Sequence, residues 1–586
     1  MSGMAQPARW LLPNLNPGEI ETLAHALGIG TPAATVLYGR GFGDPASARR
    51  FLCPSLDDLH DPLKMRGMDC ALDRLMRAIR NHEKILIYGD YDVDGTTSVV
   101  ILKRAIELAG GVADFHVPDR LKDGYGMRPE VVETAAARGV SLIISVDTGI
   151  RAAEVVRRAS ELAIDVIITD HHLPESELPP ALAVLNPNRH DCDYPEKTLC
   201  GVGVAFKLVQ ALLGQVGWPA DKLRRVLESF LKLVAIGTVA DVVPLTGENR
   251  IIVKHGLNGL RDVRNPGLRA LLEVAGFTGG SAPSATQVAF RIAPRMNAAG
   301  RMATANDVIE MLLTADPSRA RALAAQLHEL NAERQKTEAE IIEIILEECA
   351  RTPVDDSQPA LVFSAPDWHR GVLGIVASRL VERFHRPVFV LSEDAGSGYA
   401  QGSGRSIQRF HLLEALESMP ELFAKFGGHS HAAGLTLSSS HVDTFRRQLQ
   451  DYAGARLTPE DFCGELEIDG VLTLNEINER NVAGILSLAP FGCGHAMPVF
   501  AALNVEVAGP PVLWKEKHLR VPLRQNGRML WMKAWNFAGR IAELPPGARV
   551  DAAITVEEDS YAAASGLPGW SVVLRDVRAA KAAATA

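Results

Sequence analysis

Short apolar runs alternate with amphipathic stretches in the first half of the chain. The runs are KILIYGD, SLIISVD, IDVIITD and ALAVLNP, and helical periodicity marks SVVILKRAIELAG and RAAEVVRRASELA between them. This alternation is typical of β-α-β units, which build a parallel sheet covered by helices on both faces. Three runs end at an aspartate: Asp90, Asp147 and Asp170. Because open α/β folds bind ligands at the carboxyl ends of their strands, we expect these carboxylates at one sheet edge.

The second half of the chain predicts two further folding units. The stretch ARALAAQLHELNAERQKTEAEIIEIILEECA lacks proline and glycine and predicts one long connecting helix. PALVFSAP, GVLGIVASRLVERF and PVFVLSE then predict a second α/β unit, and short turn-separated strands beyond residue 460 predict a small β-barrel. The predicted boundaries are 1–45 for an extension of unassigned structure, 46–315 for the first unit, 316–352 for the helix, 353–456 for the second unit and 457–580 for the barrel.

Composition and charge narrow the classes of protein. No apolar run reaches the ~18–20 residues that span a bilayer, and the first residues lack an export-signal pattern, so we expect a cytoplasmic protein without membrane contact. Seven cysteines without a C-x-x-C pair predict reduced thiols rather than disulfides or a zinc cluster. A net charge of −9 argues against coating nucleic acid through a global positive field. A polyanion must therefore bind in a local groove or through metal ions.

The segment YGDYDVDGTTS carries the strongest chemical signal. Asp90, Asp92 and Asp94 alternate between a predicted strand and a predicted helix. In extended chain this spacing turns all three carboxylates to one side, where they repel unless a cation lies among them. A solvated acidic turn is the simpler alternative. A calcium loop is excluded, because such loops lie between helices and end in a bidentate Glu, whereas the twelfth position here is Ile101.

Three other motifs add candidate ligands. Asp170, His171 and His172 follow a predicted strand, and burying these groups together without a metal is costly. Asp147 in SVDTG has a simpler interpretation as a helix cap, and Asp241 in TVADVVPL as a loop carboxylate. Together the motifs bring about five carboxylates and one or two imidazoles to one edge, a set that suits Mn²⁺ or Mg²⁺. Two such ions about 3.5–4 Å apart would activate water for phosphoryl displacement.

Four segments resemble, in chain order, the metal-binding motifs of the Asp-His-His (DHH) phosphoesterases: GDYDVDG, SVDTG, DHH and GTVADVVPL. FGGHSHAAG resembles the glycine-rich signature of the family's DHHA1 domain. YGDYDVDG, DRLKDGYG, APRMNAAGRM and GSGRS further resemble the family's bacterial exonucleases specific for single-stranded DNA. The resemblance covers nearly the whole chain. It implies a DHH catalytic domain at 46–315, a DHHA1 substrate-binding domain at 353–456 and an OB-like nucleic-acid-binding domain at 457–580.

The resemblance also implies which residues bind metal and perform catalysis. Two divalent ions, preferably Mn²⁺ or else Mg²⁺, would be held by Asp90, Asp92, Asp94, Asp147, His171 and Asp241. Asp147 would bridge the ions and, with His171 and His172, form the catalytic set. His172 would contact the scissile phosphate or support a ligand, and Asp170 would orient a histidine.

Further residues are implied to bind the substrate. They are Arg120, Tyr125, Arg295, Asn297, Arg301, Ser403, Arg405, Ser406, Gly428 and His429. For each arginine taken alone, a surface salt bridge is about as frequent as a phosphate contact. Trp531 and Trp535 of the barrel either stack on bases or fill its core, and we expect the core for at least one.

The implied activity is two-metal hydrolysis of single-stranded DNA in the 5′ to 3′ direction, by a monomer that serves DNA repair and recombination. Single-stranded DNA is the expected partner, with a helicase and a single-strand-binding protein as further candidates. The alternative is a small-substrate member of the family: a nanoRNase, a nucleotide phosphatase, a cyclic-dinucleotide phosphodiesterase or a pyrophosphatase. The barrel and the chain length argue against it, because small substrates need no strand-guiding surface. A metal-free scaffold is disfavoured, because the ligand set is complete.

Overall fold

A computed structural model describes residues 8–120, 123–124, 126–559, 562 and 566–580. In this described part the chain folds into two α/β units, a connecting helix and a β-barrel, which confirms the predicted fold class. None of the helices in this described part has the length and hydrophobicity needed to traverse a bilayer.

The first residues form elements that the sequence left unassigned. These are β1 (Arg9–Leu11), α1 (Pro17–Leu27), α2 (Thr31–Gly39) and α3 (Pro45–Leu52). Leu23 and Phe51 of these helices share one hydrophobic core with Phe500 and Val521 of the C-terminal barrel. Strand β1 pairs in parallel with a strand just before the barrel. The amino-terminal segment is therefore part of the barrel's packing and does not stand alone.

The first α/β unit is a parallel sheet of five strands with helices on both faces. Its strands, in the spatial order β3-β2-β4-β5-β6, are β2 (Lys84–Tyr88), β3 (Ala113–His116), β4 (Val140–Val146), β5 (Asp165–Thr169) and β6 (Ala183–Leu185). Alternate residues point to opposite faces: Ile87 and Ile144 enter one core, and Leu86 and Ile143 the other. Burial on both faces explains the continuous apolar runs in the sequence.

Helices complete this unit and lead out of it. They are α4 (Met68–Arg80), α5 (Val93–Leu108), α6 (Pro129–Ala137), α7 (Ala153–Glu161), α8 (Gly201–Gly214), α9 (Ala220–Ala240), α10 (Gly247–Gly259), α11 (Pro266–Val274), α12 (Ala285–Gln287), α13 (Ala293–Met302), α14 (Asn306–Leu313) and α15 (Pro317–Arg351). A π-helical turn, Val288–Ile292, precedes α13. Helix α15 is the predicted connecting helix, and the Asp316 side chain caps it by accepting a hydrogen bond from Ser318 N.

The second α/β unit has a mixed sheet in the order β10-β11-β9-β8-β7. Its elements are β7 (Leu361–Pro366), α16 (Leu373–Phe384), β8 (Val388–Asp394), β9 (Tyr399–Arg405), α17 (Leu412–Glu417), β10 (Phe423–Gly428), β11 (Ala432–Ser438) and α18 (Val442–Gly454). Among these described strands, β7 and β8 form the one parallel pair of neighbours, and the other neighbouring pairs are antiparallel. The GSGRS motif therefore lies on β9, and the FGGHSHAAG motif spans the hairpin of β10 and β11, whose second strand pairs with β9.

The C-terminal unit is a closed barrel of OB type. Its elements are β12 (Glu465–Glu467), β13 (Gly470–Val471), α19 (Glu479–Leu486), β14 (Phe500–Val507), β15 (Val512–Trp514), β16 (His518–Gln525), β17 (Arg528–Ala534), β18 (Arg549–Glu558) and β19 (Trp570–Ala579). The ring β14-β18-β19-β17-β16 closes through a β14–β16 pairing. Pairing around a ring removes the open sheet edges that invite aggregation.

The barrel is docked on the first α/β unit next to the loop that follows α9. Arg250 of α10 is buried there, with its guanidinium 3.6 Å from the ring centre of Phe51. It donates hydrogen bonds to the carbonyl oxygens of Leu488 at 2.7 Å and Phe51 at 2.8 Å. Leu245 N also donates to Cys493 O at 2.8 Å. Buried polar contacts of this kind orient the barrel relative to the first sheet.

Candidate metal centre and nucleic-acid cleft

The GDYDVDG loop carries three carboxylates from the end of β2 into the start of α5. Asp92 caps α5, because its Oδ1 accepts a hydrogen bond from Gly95 N at 3.0 Å. Asp94 lies in the first turn of α5. The extended conformation that the sequence analysis assumed for all three aspartates therefore ends before Asp94. A Cβ at Gly95 would lie 2.5 Å from the backbone oxygen of Asp90, which explains the glycine. The carboxylates converge because the chain turns sharply into a helix.

Asp147 directly follows β4, and Asp170 directly follows β5. Asp147 is buried in a left-handed backbone conformation with φ of 58°, and its N–H donates to Thr169 O at 2.9 Å. Asp170 is fully buried, and its Oδ1 accepts a hydrogen bond from His172 Nδ1 at 2.7 Å. Its Oδ2 accepts the Ile150 N–H at 2.9 Å. Asp170 therefore fixes the ring of His172.

His171 lies at the centre of the acidic residues. Its Nε2 is 3.2 Å from Asp147 Oδ1, 3.7 Å from Asp241 Oδ2 and 3.9 Å from Asp94 Oδ2. Two groups of residues each place their ligand atoms within 4.8 Å of one another, and they are Asp90, Asp92 and Asp147, and Asp94, His171 and Asp241. These groups contain the six residues predicted as ligands. Asp147 also forms such a group with His171 and His172, so it links the two groups of ligands.

The electrostatics of this centre favour cations. Burial and the repulsion of neighbouring carboxylates raise the pKa of Asp94 to about 7 and the pKa of Asp241 to about 9. The same causes raise the pKa of Asp90 and Asp147 well above the usual range. Burial lowers the pKa of His171 to about 4, which leaves its imidazole neutral.

The donor atoms fit a pair of divalent ions. Oδ1 of Asp90 and Oδ1 of Asp147 are buried and accept no hydrogen bond from any residue that the structure describes. Unsatisfied carboxylate oxygens are costly in a protein interior. Carboxylates with one neutral imidazole form an oxygen-rich set that suits Mn²⁺ or Mg²⁺. Cysteine Sγ atoms are absent from these groups of described residues, which argues against structural zinc.

A group of arginines lies beside the metal centre and is called the arginine pocket below: Arg120, Arg301 and Arg405. The Arg120 guanidinium is 5.0 Å from the ring centre of Tyr91, within the GDYDVDG loop. Burial, Arg120 and other nearby arginines lower the pKa of Arg301 to about 10. Burial and Arg120 also lower the pKa of Arg405. Within the described residues neither Arg301 nor Arg405 is paired with a carboxylate, so the pocket is suited to an anion.

Four of the other predicted substrate residues, Ser403, Ser406, Gly428 and His429, lie in the second α/β unit. Ser403 lies two positions before Arg405 on β9, hence on the same strand face, while the Ser406 hydroxyl donates to Phe410 O at 2.8 Å. Gly428 and His429 line a cleft described below.

Arg295 and Asn297 make contacts within the protein. Arg295 Nε donates to His328 Nδ1 of α15 at 3.1 Å. Asn297 Oδ1 accepts the Val93 N–H at 3.2 Å, so Asn297 supports the start of α5. Tyr125 lies outside the described residues.

A cleft of about 1080 Å³ separates the two α/β units next to the metal centre. The first unit contributes His172, and the second contributes the glycine-rich strand with Gly428 and His429. Arg151 and Lys425 also line it, although the sequence analysis missed them. Both lie within four residues of a recognised motif, and that proximity is the signal that identifies them in retrospect.

The outer face of β16 and β17 is aromatic and basic. Trp531 is 45% exposed and Trp535 is 40% exposed, so the prediction that at least one fills the barrel core was wrong. The reason is strand alternation, because the next residue, Met532, takes the buried position. The Trp514 and Trp535 ring centres lie 5.2 Å apart, and Arg520 lies 5.7 Å from the Trp531 ring. OB folds bind oligonucleotides on this face.

Three protein-family models match successive parts of the chain. Residues 84–238 match the DHH family, N-terminal domain; residues 357–455 match the DHHA1 domain; and residues 468–567 match the RecJ OB domain. The fold and the acidic centre together define a metal-dependent hydrolase of the DHH class.

Individual relatives narrow this class. The single-stranded-DNA-specific exonuclease RecJ of Bacillus subtilis (strain 168) is 39% identical over 548 residues, which cover 93% of this chain and 68% of that relative. A crystal structure of RecJ in complex with Mn²⁺ from Thermus thermophilus matches with a TM-score of 0.83 and 32% identity, covering 99% of this chain and 81% of that one. The same protein in complex with Mg²⁺ matches with a TM-score of 0.77 and 31% identity, covering 98% and 79%. The chain belongs to the RecJ family.

Proposed function

We propose that this protein is a metal-dependent exonuclease that hydrolyses single-stranded DNA from the 5′ end. The observation that carries the proposal is that Tyr91 lies close to both the acidic centre and the arginine pocket: the Arg120 guanidinium is 5.0 Å from its ring centre, and, besides burial, the charges of Asp90, Asp92 and Arg301 also act on its pKa. The cleft between the two α/β units reaches Asp170 and His172 beside the same centre. The acidic centre can hold cations, and the arginine pocket can hold a terminal phosphate. The relative from Bacillus subtilis is a single-stranded-DNA-specific exonuclease, which supports the same activity here.

The two divalent ions, Mn²⁺ or Mg²⁺, would be held by the two groups of ligands. These ligands are Asp90, Asp92, Asp94, Asp147, His171 and Asp241. When bound, such a pair of ions supplies a water of lowered pKa and neutralises charge on the phosphate during an in-line displacement. Asp147 belongs to groups on both sides of the centre, which supports its assignment as the shared ligand.

His172 is proposed as the residue that contacts the scissile phosphate. Burial alone would lower its pKa, but the hydrogen bond to Asp170 and the negative charges of Asp170, Asp94 and Asp90 together outweigh burial and raise the pKa of His172. A protonated imidazole in the cleft donates a hydrogen bond to a phosphate oxygen and balances its negative charge. Asp170 holds the ring in place, so His172 need not reorient during the reaction.

The arginine pocket is proposed to bind the 5′-terminal phosphate. Guanidinium groups form paired hydrogen bonds to phosphate oxygens, and crowding of like charges in the pocket is relieved when a phosphate dianion enters. Binding the strand end next to the acidic centre places the first phosphodiester bond at the ligands. This arrangement accounts for attack at the strand end and for 5′ to 3′ direction.

Single-strand selectivity follows from the cleft and the barrel. One strand is proposed to pass along Arg151 and Lys425, which line the cleft. On the barrel, the exposed Trp531 and Trp535 offer flat surfaces on which unpaired bases can stack, whereas paired bases are hidden inside a duplex. The barrel thus supplies contacts that a small-substrate phosphoesterase does not need.

The proposed setting is DNA repair and recombination in the cytoplasm, where the protein acts as a monomer. The structure describes all seven cysteines and joins none of them in a disulfide, which fits a reducing compartment. An enzyme confined to single strands requires unwinding of any duplex substrate, so a helicase and a single-strand-binding protein are proposed partners.

The decisive experiment is parallel digestion with Mn²⁺ of single-stranded DNA, blunt duplex DNA and short oligoribonucleotides. Single-stranded DNA should be degraded fastest. A label at the 5′ end should be released early as a mononucleotide, whereas a label at the 3′ end should stay on strands that shorten gradually. An EDTA-treated sample serves as the control for metal dependence. Preference for two- to four-residue RNA over long DNA would instead support the small-substrate alternative, and early release of a 3′ label would refute the proposed direction.

A further inference from the structure

The amino-terminal turn of α8 contacts the acidic centre without supplying a ligand. Gly201 N donates to Asp94 Oδ2 at 2.6 Å, and Val202 N donates to Asp94 Oδ1 at 2.7 Å. Both carboxylate oxygens are therefore held by backbone amides, so α8 sets the direction in which Asp94 points. These amides lie in the first turn of a helix, where backbone N–H groups have no acceptor within the helix itself.

Gly201 also borders Asp147, the ligand shared between the two groups. A Cβ at position 201 would lie 2.6 Å from both the Cβ and the Oδ1 of Asp147. On the other side of the turn, a Cβ at Gly237 of α9 would lie 2.6 Å from Cγ1 of Val202. Only glycine at these positions lets α8 approach closely enough for its amides to reach Asp94.

We propose that Gly201 and Val202 are positioning residues of the metal centre, whose backbone amides aim Asp94 and thereby raise the affinity for divalent ions. The inference rests on the proposed two-metal function. Buried among other carboxylates, an unanchored Asp94 side chain would rotate away from their negative charge. Hydrogen bonds to a metal-binding carboxylate typically contribute about 10- to 100-fold in metal affinity.

Val202→Pro and Val202→Ala test the amide contact directly. Both variants lose part of the same buried side chain, but only proline removes the N–H, and proline is tolerated in the first turn of a helix. The Mn²⁺ dissociation constant is measured by calorimetry, the Mn²⁺ environment by electron paramagnetic resonance, and folding by melting in EDTA. Val202→Pro should bind Mn²⁺ about 10- to 100-fold more weakly than Val202→Ala, with an altered Mn²⁺ spectrum.

A second pair of variants tests the space at Gly201 and decides the matter if Val202→Pro fails to fold. Gly201→Ala should weaken Mn²⁺ binding, whereas Gly214→Ala at the far end of α8 should not, because a Cβ there meets no atom within 4 Å. Equal Mn²⁺ affinity within each folded pair would overturn the positioning role. Absence of Mn²⁺ binding by the wild-type protein would instead refute the proposed function.

Discussion

The acidic centre and the arginine pocket each bring charges of one sign close together, but the repulsion has different effects on their protonation. Burial and repulsion raise the pKa of Asp94 to about 7 and that of Asp241 to about 9, so these carboxyls take up protons near neutral pH. Burial and repulsion lower the pKa of Arg301 only to about 10, so its guanidinium stays charged. The acidic centre can relieve its repulsion with protons or metal ions, whereas the arginine pocket requires an anion.

This difference separates two tasks that the enzyme must perform. A centre that exchanges protons for metal ions can assemble reversibly, and metal binding there must release protons. A pocket that is always cationic attracts the substrate under all physiological conditions and needs no assembly.

Asp147→Asn should have the largest effect, because it removes the charge that serves both ligand groups. Turnover of single-stranded DNA with Mn²⁺ should fall about 1000-fold or more, since metal ions stabilise the transition state by several kcal/mol. In EDTA at alkaline pH the melting temperature should stay equal or rise, because one repelling carboxylate is lost. Turnover close to wild type would remove Asp147 from the centre.

Arg405→Gln should affect binding of the strand end. KM for 5′-phosphorylated strands is expected to rise about 10- to 100-fold through loss of charge-assisted hydrogen bonds, with a smaller rise for 5′-hydroxyl strands. Arg295→Gln is the matched control, because Arg295 contacts His328 and should leave KM nearly unchanged. The same loss for both kinds of 5′ end would contradict a phosphate pocket.

Trp531→Ala tests whether an uncharged surface also contributes to substrate binding. Loss of one stacked base should weaken binding of long single strands about tenfold, and strands too short to reach the barrel should bind as before. Met532→Ala, the buried neighbour on β17, should lower the melting temperature instead. Fluorescence anisotropy and thermal melting distinguish the two outcomes, and unchanged binding of long strands by Trp531→Ala would argue against stacking.

The smallest effect is a pH dependence of stability in the metal-free protein. Since the pKa of Asp94 and Asp241 is higher in the folded than in the unfolded state, the folded protein binds more protons. The free energy of unfolding should therefore fall as pH rises towards about 9. Each kcal/mol lost should lower the melting temperature by about 2–4 °C. Mn²⁺ and Asp241→Asn should each flatten the slope. Identical slopes for all three samples would show that the acidic centre does not titrate.

Much of the first sheet was predictable because its rules are local. Apolar runs bounded by turn residues identify buried strands, and parallel strands necessarily place their carboxyl ends at one edge. Asp90, Asp147 and Asp170 could therefore be assigned to a common edge from spacing alone. The predicted ligands do lie together in the structure, in the two groups that share an edge.

Helix α13 shows what spacing could not resolve. Arg295 and Arg301 lie six residues apart in one helix, hence about 240° apart around its axis. One of them reaches the arginine pocket and the other reaches α15, but the sequence does not reveal which face meets the cleft. The amino-terminal helices pose the same difficulty, because their buried residues pack against a barrel at the opposite end of the chain.

By itself, the sequence determined which residues would carry charge and that a parallel sheet would collect them, because chain direction and alternation are local properties. Only the tertiary structure decided how each charge is held. Asp94 takes its hydrogen-bond donors from residues 107 and 108 positions away, and Trp531 is exposed because Met532 enters the barrel core. Such partners are brought together by packing, which depends on the whole chain.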